Sequence, residues 1–516
     1  MSLNEINRVN KVRNYLRDLR ALVRRQPLHE WLAFLSSLNF SNNKTWKIFQ
    51  ERTKNDDKSR KAYRIFLPVL AKYSILNSND NIGISNRNFE EVYRDVRKCI
   101  EIIIEVKDWI PPGLFDNPEI ALAAWTFLMA NQQNIFQEFP KNTFARCFWL
   151  YDRIPKELKA EKGINMEKDI ENIYGLSLNK LWIITSNIIG QYQGGYQIFD
   201  SNNDTIDKDS IKYFDKFSIE YKDFRTLATD KTKSLIGEST QFYGFSPFDL
   251  FPIIRTQGKY IIVCPYYLIR RFYIPMYFDL LNHYQKSKDK KENLFSYYFG
   301  EVFQFYVGKQ LTLLDDNDGL LYEFDYDKDG SKKFCDFTLI YDDCAILIEV
   351  KKYLIPVHSK FELNRSNLKD ALSKSLVLGL IQIANKIEHI KSNIIGLEKF
   401  NDIKNFYPLV ITFDDSYQMN DLYIRILINE ILNENGIQFD NKWQIMTIRE
   451  LENIVSICSK KLSFITLMKK KVEGEKVVLD FDTFLISEKI EILDNELINQ
   501  VIKEEINSFN EGKSNI

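Results

Sequence analysis

The stretch from Phe334 to Lys352, FCDFTLIYDDCAILIEVKK, constrains this chain more than any other. Two apolar runs, residues 337–341 and 345–350, flank Asp342-Asp343, a pattern that reads as a β-hairpin with an acidic turn. Three charged residues interrupt the apolar texture: Asp336 ahead of the first strand, then Glu349 and Lys351 near the end of the second. A buried carboxylate or ammonium is costly unless it is paired or bound to a metal. Strand residues at i and i+2 share a face, so Glu349 and Lys351 point the same way, and pairing of the hairpin brings Asp336 alongside. Two carboxylates and a lysine then converge at one end of a sheet, a geometry suited to Mg²⁺ with an ammonium beside it.

The 516 residues are enough for two or more domains, and 45% hydrophobic residues are enough for sizeable cores. The net charge of −1 announces no nucleic-acid partner by itself. Its distribution is uneven: residues 1–110 carry 21 Lys and Arg against 13 Asp and Glu, and residues 480–511 carry 2 against 9. A near-neutral total can therefore hide a basic face. The six cysteines form no CxxC pair, so they read as reduced, buried thiols rather than a zinc knuckle or disulfide framework. With no signal-like N-terminus and no apolar run of membrane-spanning length, the expectation is a cytoplasmic protein without membrane contact. The Gly512-Lys513-Ser514 tripeptide lacks the upstream glycine of a phosphate loop, which argues against an ATP-driven motor. Four histidines, His29, His283, His358 and His389, disfavour chemistry built on a histidine cluster.

Along the chain, residues 6–25 read as an amphipathic helix with Val12, Leu16, Leu19 and Val23 on its apolar stripe. Arg13, Arg17, Arg20 and Arg24 form a basic row on it, and two readings stay open: a solvated face, or contacts to a phosphate backbone. Helical patterning continues to about residue 189, the clearest case being 89–107. Residues 199–224 are polar and read as a surface connection. From residue 245, Pro247, Pro252, Gly258 and Pro265 punctuate short apolar runs, which marks a boundary. A helix over 294–314, a strand over 321–325, the hairpin, a helix over 368–392 and a strand over 407–413 follow, with a further strand near 443–448. This order predicts an α/β sandwich around a mixed sheet. The α+β expectation is thus an all-helical N-terminal region (1–240) for sensing, docking or assembly, a connecting segment (241–290), an α/β domain (291–475) and an acidic, solvated helical tail (476–516).

Asp336 and Glu349 have twelve residues between them, and Lys351 lies two beyond. With the hairpin and its flanking elements, this resembles the PD-(D/E)XK nuclease superfamily, whose restriction-endonuclease-like fold has the same order. Gly300-Glu301-Val302-Phe303-Gln304 occupies the place of the family's first-helix motif, with Gln304 where a glutamate is usual and Glu301 one turn earlier. Gln382, in LGLIQIANKI, sits where the later helix often carries a glutamine. The proline of the first motif is replaced by Cys335. The resemblance covers about 120–180 residues and leaves the N-terminal half unassigned. It implies that Asp336, Glu349 and the Val350 carbonyl hold Mg²⁺, with Mn²⁺ as a substitute, that Lys351 orients the attacking water, and that Gln382 supports the site. Glu301 or Gln304 would be the helix ligand. Lys352, Arg365, Lys369 and Lys374 are candidate phosphate contacts, or else a solvated face. The implied activity is Mg²⁺-dependent hydrolysis of phosphodiesters, foremost by an endonuclease on double-stranded DNA in bacterial restriction or anti-phage defence. A partner protein or homo-oligomer is compatible with the large helical region. Two alternatives stand: a repair or recombination nuclease, and a catalytically inactive nuclease fold used for binding or as a scaffold.

Overall fold

In the computed structural model the described residues are 3–38, 57–78, 87–107, 140–158, 164–193, 198–200, 206–230, 246–286, 292–314, 319–326, 332–352, 365–413, 420–439 and 442–513. They are mixed α/β and mostly helical, with two small mixed sheets. Two compact units interleave along the chain. The first comprises Met1–Thr143, Asn165–His283 and Lys360–Leu363; the second comprises Phe144–Ile164, Tyr284–Ser359 and Asn364–Ile516. The division after His283 falls inside the expected connecting segment. The assignment of residues 144–164 to the second unit has no counterpart in the sequence reading. Among the described residues, no helix is long and apolar enough to cross a membrane.

In the first unit, helices α1 (Leu3–Val23), α2 (Leu28–Leu38), α3 (Asp57–Asn77) and α4 (Phe89–Lys107) share a core. Val12, Leu16, Leu19 and Val23 are buried in it, as the 3.6-residue period requires. Asn88 and Glu91 cap α4 reciprocally: the Asn88 side chain accepts from the Glu91 N–H at 3.1 Å, and Glu91 accepts from the Asn88 N–H at 3.2 Å. The expectation of an all-helical N-terminal region is incorrect. A four-stranded sheet, ordered β1-β4-β3-β2, is built from β1 (Ile198–Asp200), β2 (Ser218–Glu220), β3 (Ile253–Thr256) and β4 (Lys259–Ile262). β2 lies within the polar stretch read as a surface connection, and β1 straddles its start. Each has three residues, too few to display an alternating pattern. Gln257 and Gly258 turn β3 into β4, both with positive φ, the conformation that matches the twist of a tight hairpin.

The second unit is organised by a five-stranded sheet, β5 (Gly319–Tyr322), β6 (Phe337–Tyr341), β7 (Cys344–Lys351), β8 (Asn405–Thr412) and β9 (Gln444–Thr447), in that spatial order. β5, β6 and β7 are antiparallel, whereas β7, β8 and β9 are parallel. Each parallel step needs a crossover, and helices supply both. Arg365–Leu372, Ser373–Val377 and α6 (Leu378–Lys391) join β7 to β8, and Leu422–Glu434 joins β8 to β9. Helix α5 (Glu292–Leu311) covers one face of the sheet: Phe299 and Phe303 pack on Phe413 at 5.1 and 5.5 Å, and Gly308 abuts Phe337. Alternation puts Glu349, Lys351 and Val410 on the opposite face, where α6 lies. β7 is central and covered on both sides, which explains its continuous apolar run.

A buried ionic network ties the second unit together. Arg146 and Glu452, on the Pro140–Phe148 helix and α7 (Ile448–Cys458), make a two-pronged pair at 2.7 and 2.5 Å. The Tyr306 hydroxyl of α5 donates to Glu452 at 2.7 Å, Gln310 donates to Tyr306 at 3.0 Å, and Asn495 donates to Gln310 at 2.7 Å. The C-terminal segment, read as a solvated tail, is part of this core: Ile498 and Val501 are buried and Arg153 pairs with Glu504 and Glu505. Truncating one partner of a buried pair leaves the other charge uncompensated. Arg146→Leu is therefore expected to lower stability by about 3–5 kcal/mol. Arg153→Ala, at a partly exposed pair, should cost less than about 1 kcal/mol. Denaturant unfolding of the two variants beside the parent checks the ranking.

Candidate active site

The hairpin forms in the register its sequence implies. Phe337 pairs with Ile348, so Asp336, in the bend just before β6, stands opposite Glu349. Asp336 is held from two sides. The Val350 N–H donates to its Oδ2 at 2.7 Å, and Gln304 Nε2 of α5 donates to its Oδ1 at 3.1 Å. Lys351 donates to Glu349 Oε2 at 2.7 Å, and Glu349 is only 5% exposed. The N–H and C=O of one strand residue project to the same side. The bond from the Val350 N–H to Asp336 therefore turns the Val350 carbonyl toward the same edge.

Burial raises both carboxyls. Asp336 is pushed up by desolvation, against the opposing effects of the Val350 N–H and Lys351. Glu349 is pushed up to about 7, by desolvation first and by the Asp336 charge second, with Lys351 opposing. One ammonium does not balance two desolvated carboxylates. A hard divalent cation on Asp336, Glu349 and the Val350 carbonyl would, and an all-oxygen donor set suits Mg²⁺ or Mn²⁺. Among the described residues, no group of three or more His, Cys, Asp and Glu gathers to hold a metal. Water and substrate oxygens would therefore complete such a shell, as Mg²⁺ ordinarily requires.

The remaining candidates divide. Of the two helix residues, Gln304 meets Asp336, whereas Glu301 is exposed on α5. Gln382 lies on α6 three residues after Gly379, on the face toward β7, and its buried Oε1 has no hydrogen-bond partner among the described residues. The Lys352 ammonium is engaged by the hydroxyl and carbonyl oxygens of Ser296, and burial lowers its pKa to about 8, so it does not stand free for phosphate. Lys369 pairs with Glu434 and Lys374 with Asp370, both at 2.6 Å, in solvated geometry. The Arg365 side chain lies outside the described residues. In the first unit Arg13 and Arg17 are exposed on α1, Arg20 is half-buried, and Arg24, exposed in the turn just past α1, donates to the Asn77 carbonyl at 2.8 Å.

Sequence reasoning missed several groups that act on the pair. Glu323 raises Asp336, Lys333 opposes it, and Lys386 of α6 opposes the rise at Glu349. Glu323 and Lys386 lie 13 and 37 residues from the group each influences, a range that no local pattern spans, whereas Lys333 is only three residues from Asp336. Gly379 was also passed over, since a glycine inside a helical pattern signals nothing about what it touches.

No family model matches the chain, and no curated protein matches it.

A carboxyl whose folded pKa is raised contributes stability that is fully present below its unfolded value and is lost as pH rises through the folded value. For Glu349 that window runs from its ordinary 4.5 to about 7. In chelator, Glu349→Gln is expected to be more stable than the parent at pH 8, by up to about 3 kcal/mol. The difference should vanish near pH 4.5. Thermal melts of both proteins across that range check the sign. Mg²⁺ should raise the melting temperature of the parent at pH 8 and leave that of Asp336→Ala unchanged.

Proposed function

We propose that the second unit is a metal-dependent phosphodiesterase. Within that class we read it as a PD-(D/E)XK-type nuclease with a restriction-endonuclease-like core, acting on DNA as an endonuclease in bacterial restriction or anti-phage defence. The observation that carries the reading is the convergence of Asp336, Glu349 and Lys351 at one end of the mixed sheet, with both carboxyls desolvated and raised. The choice of DNA and the defence role rest on the family resemblance alone.

Asp336, Glu349 and the Val350 carbonyl would hold the cation. The chemistry it supplies when bound is polarisation of the scissile phosphate and activation of water for attack. Lys351, steered by Glu349, orients the attacking water and stabilises negative charge building on the phosphate oxygens. Gln304 and the Val350 N–H hold the Asp336 carboxyl in one rotamer, so the ligand is preorganised. A second reading, a binding protein on a catalytically lapsed nuclease fold, draws on one observation: an amide donor, Gln304, contacts Asp336 where a glutamate is usual.

Supercoiled plasmid, linear duplex, single-stranded DNA and RNA are incubated with the pure protein in Mg²⁺ or chelator. The parent is expected to nick or linearise plasmid only with the cation. Asp336→Ala and Lys351→Ala should each cut the rate by about 100-fold or more. Cleavage that persists in both variants would remove these residues from the chemistry, and no Mg²⁺-dependent cleavage of any substrate would favour the binding protein.

A further inference from the structure

Gly379 is the second residue of α6, in ordinary helical backbone, where glycine costs about 1 kcal/mol relative to alanine. No turn or positive φ calls for it, so its use must lie in the space it leaves. A Cβ at this position would stand 3.2 Å from Lys351 Cε, 3.5 Å from Lys351 Cγ and 3.3 Å from Val410 Cγ2. The stem of Lys351 thus lies against bare helix backbone. Val410 is the parallel partner of Glu349, so the contact is made on the strand pair and face that carry Glu349 and Lys351. The π-helical segment Ser373–Val377 immediately precedes α6. Such an insertion shifts the register of the following turns and often marks a functional site. The same face of α6 then presents Gly379, Gln382 and Lys386 in steps of three and four.

We infer that Gly379 is a positioning residue that sets where the Lys351 ammonium stands beside Glu349, an inference that rests on the nuclease reading for its catalytic consequence and on packing alone for its structural one. An added methyl must displace something by a few tenths of an ångström. Cε is near the free end of a flexible side chain, so the lysine yields before the helix does. The ammonium's 2.7 Å bond with Glu349 then lengthens and loses alignment.

The test is Gly379→Ala in the full chain, read in two ways. Acetylation by an N-hydroxysuccinimide ester, followed peptide by peptide by mass spectrometry, reports Lys351 whether or not the protein cleaves anything. Its modification is expected to quicken about fivefold or more as the ion pair loosens, with Lys352 and Lys386 unchanged. In plasmid cleavage, kcat should fall about 10- to 100-fold with KM within about threefold, since orientation rather than binding is lost. A folded variant with parental Lys351 labelling and parental kcat overturns the inference. If Gly379→Ala does not fold, the Gly379→Ala/Lys351→Ala double variant decides. Folding restored by removal of the lysine stem supports the contact, and folding not restored overturns it. If the parent itself proves inactive, the nuclease reading fails while the labelling result still judges the contact.

Discussion

The buried Arg146–Glu452 pair is the interaction on which the second unit depends. Both groups are almost wholly removed from water, at 0% and 1% exposure. Their attraction repays that desolvation only because two parallel bonds and the Tyr306 hydroxyl satisfy the carboxylate. The consequence is geometric. A stretch at 144–157 and a helix at 448–458, some 300 residues apart in sequence, are locked to the turn of α5 that carries Tyr306. Gln304 is two residues earlier on that turn. The network that staples the unit thus also sets the helix register from which Gln304 reaches Asp336.

The candidate site applies the same physics with the opposite balance. At Glu452, charges cancel and every acceptor is used. At Asp336 and Glu349 two carboxyls share one lysine, and burial drives both upward. The cause is the placement of β7. A central strand with a helix on each face leaves its last turn of sequence, Glu349-Val350-Lys351, little water to face, so charge there is held at a cost that a bound cation would relieve. The sheet thereby supplies the site with poor solvation, fixed rotamers and a carbonyl edge, while α5 and α6 contribute Gln304, Gly379 and Gln382 from opposite sides.

How far the sequence could be read varied by element. The hairpin was legible because two apolar runs and an acidic turn leave one register that buries the apolar faces. Helix α4 was legible to the residue, and its N-terminal cap is a local device. The strands β1 and β2 were not. Three residues each, they are strands because β4 and β3 pair with them, which is a distant cause. The choice between Glu301 and Gln304 was equally closed to sequence: the two lie one turn apart on α5, and only the rotation of that helix decides between them. The positive charges near the hairpin were ambiguous for a related reason. Lys352, Lys369 and Lys374 look alike in sequence, yet one is taken by Ser296 and two by acidic neighbours.

What the sequence alone determined is the set of local devices: apolar periodicity, caps, the acidic hairpin turn, and three charged residues placed where a strand pattern would bury them. These depend on side chains a few residues apart, whose relation the backbone geometry dictates. What only the tertiary structure decided is which groups share a neighbourhood. The pairing of Arg146 with Glu452, the contact of Gln304 with Asp336 and the closeness of Gly379 to Lys351 each join segments tens to hundreds of residues apart. Their distances follow from how helices rotate and sheets stack, and residue identity at one position does not encode that.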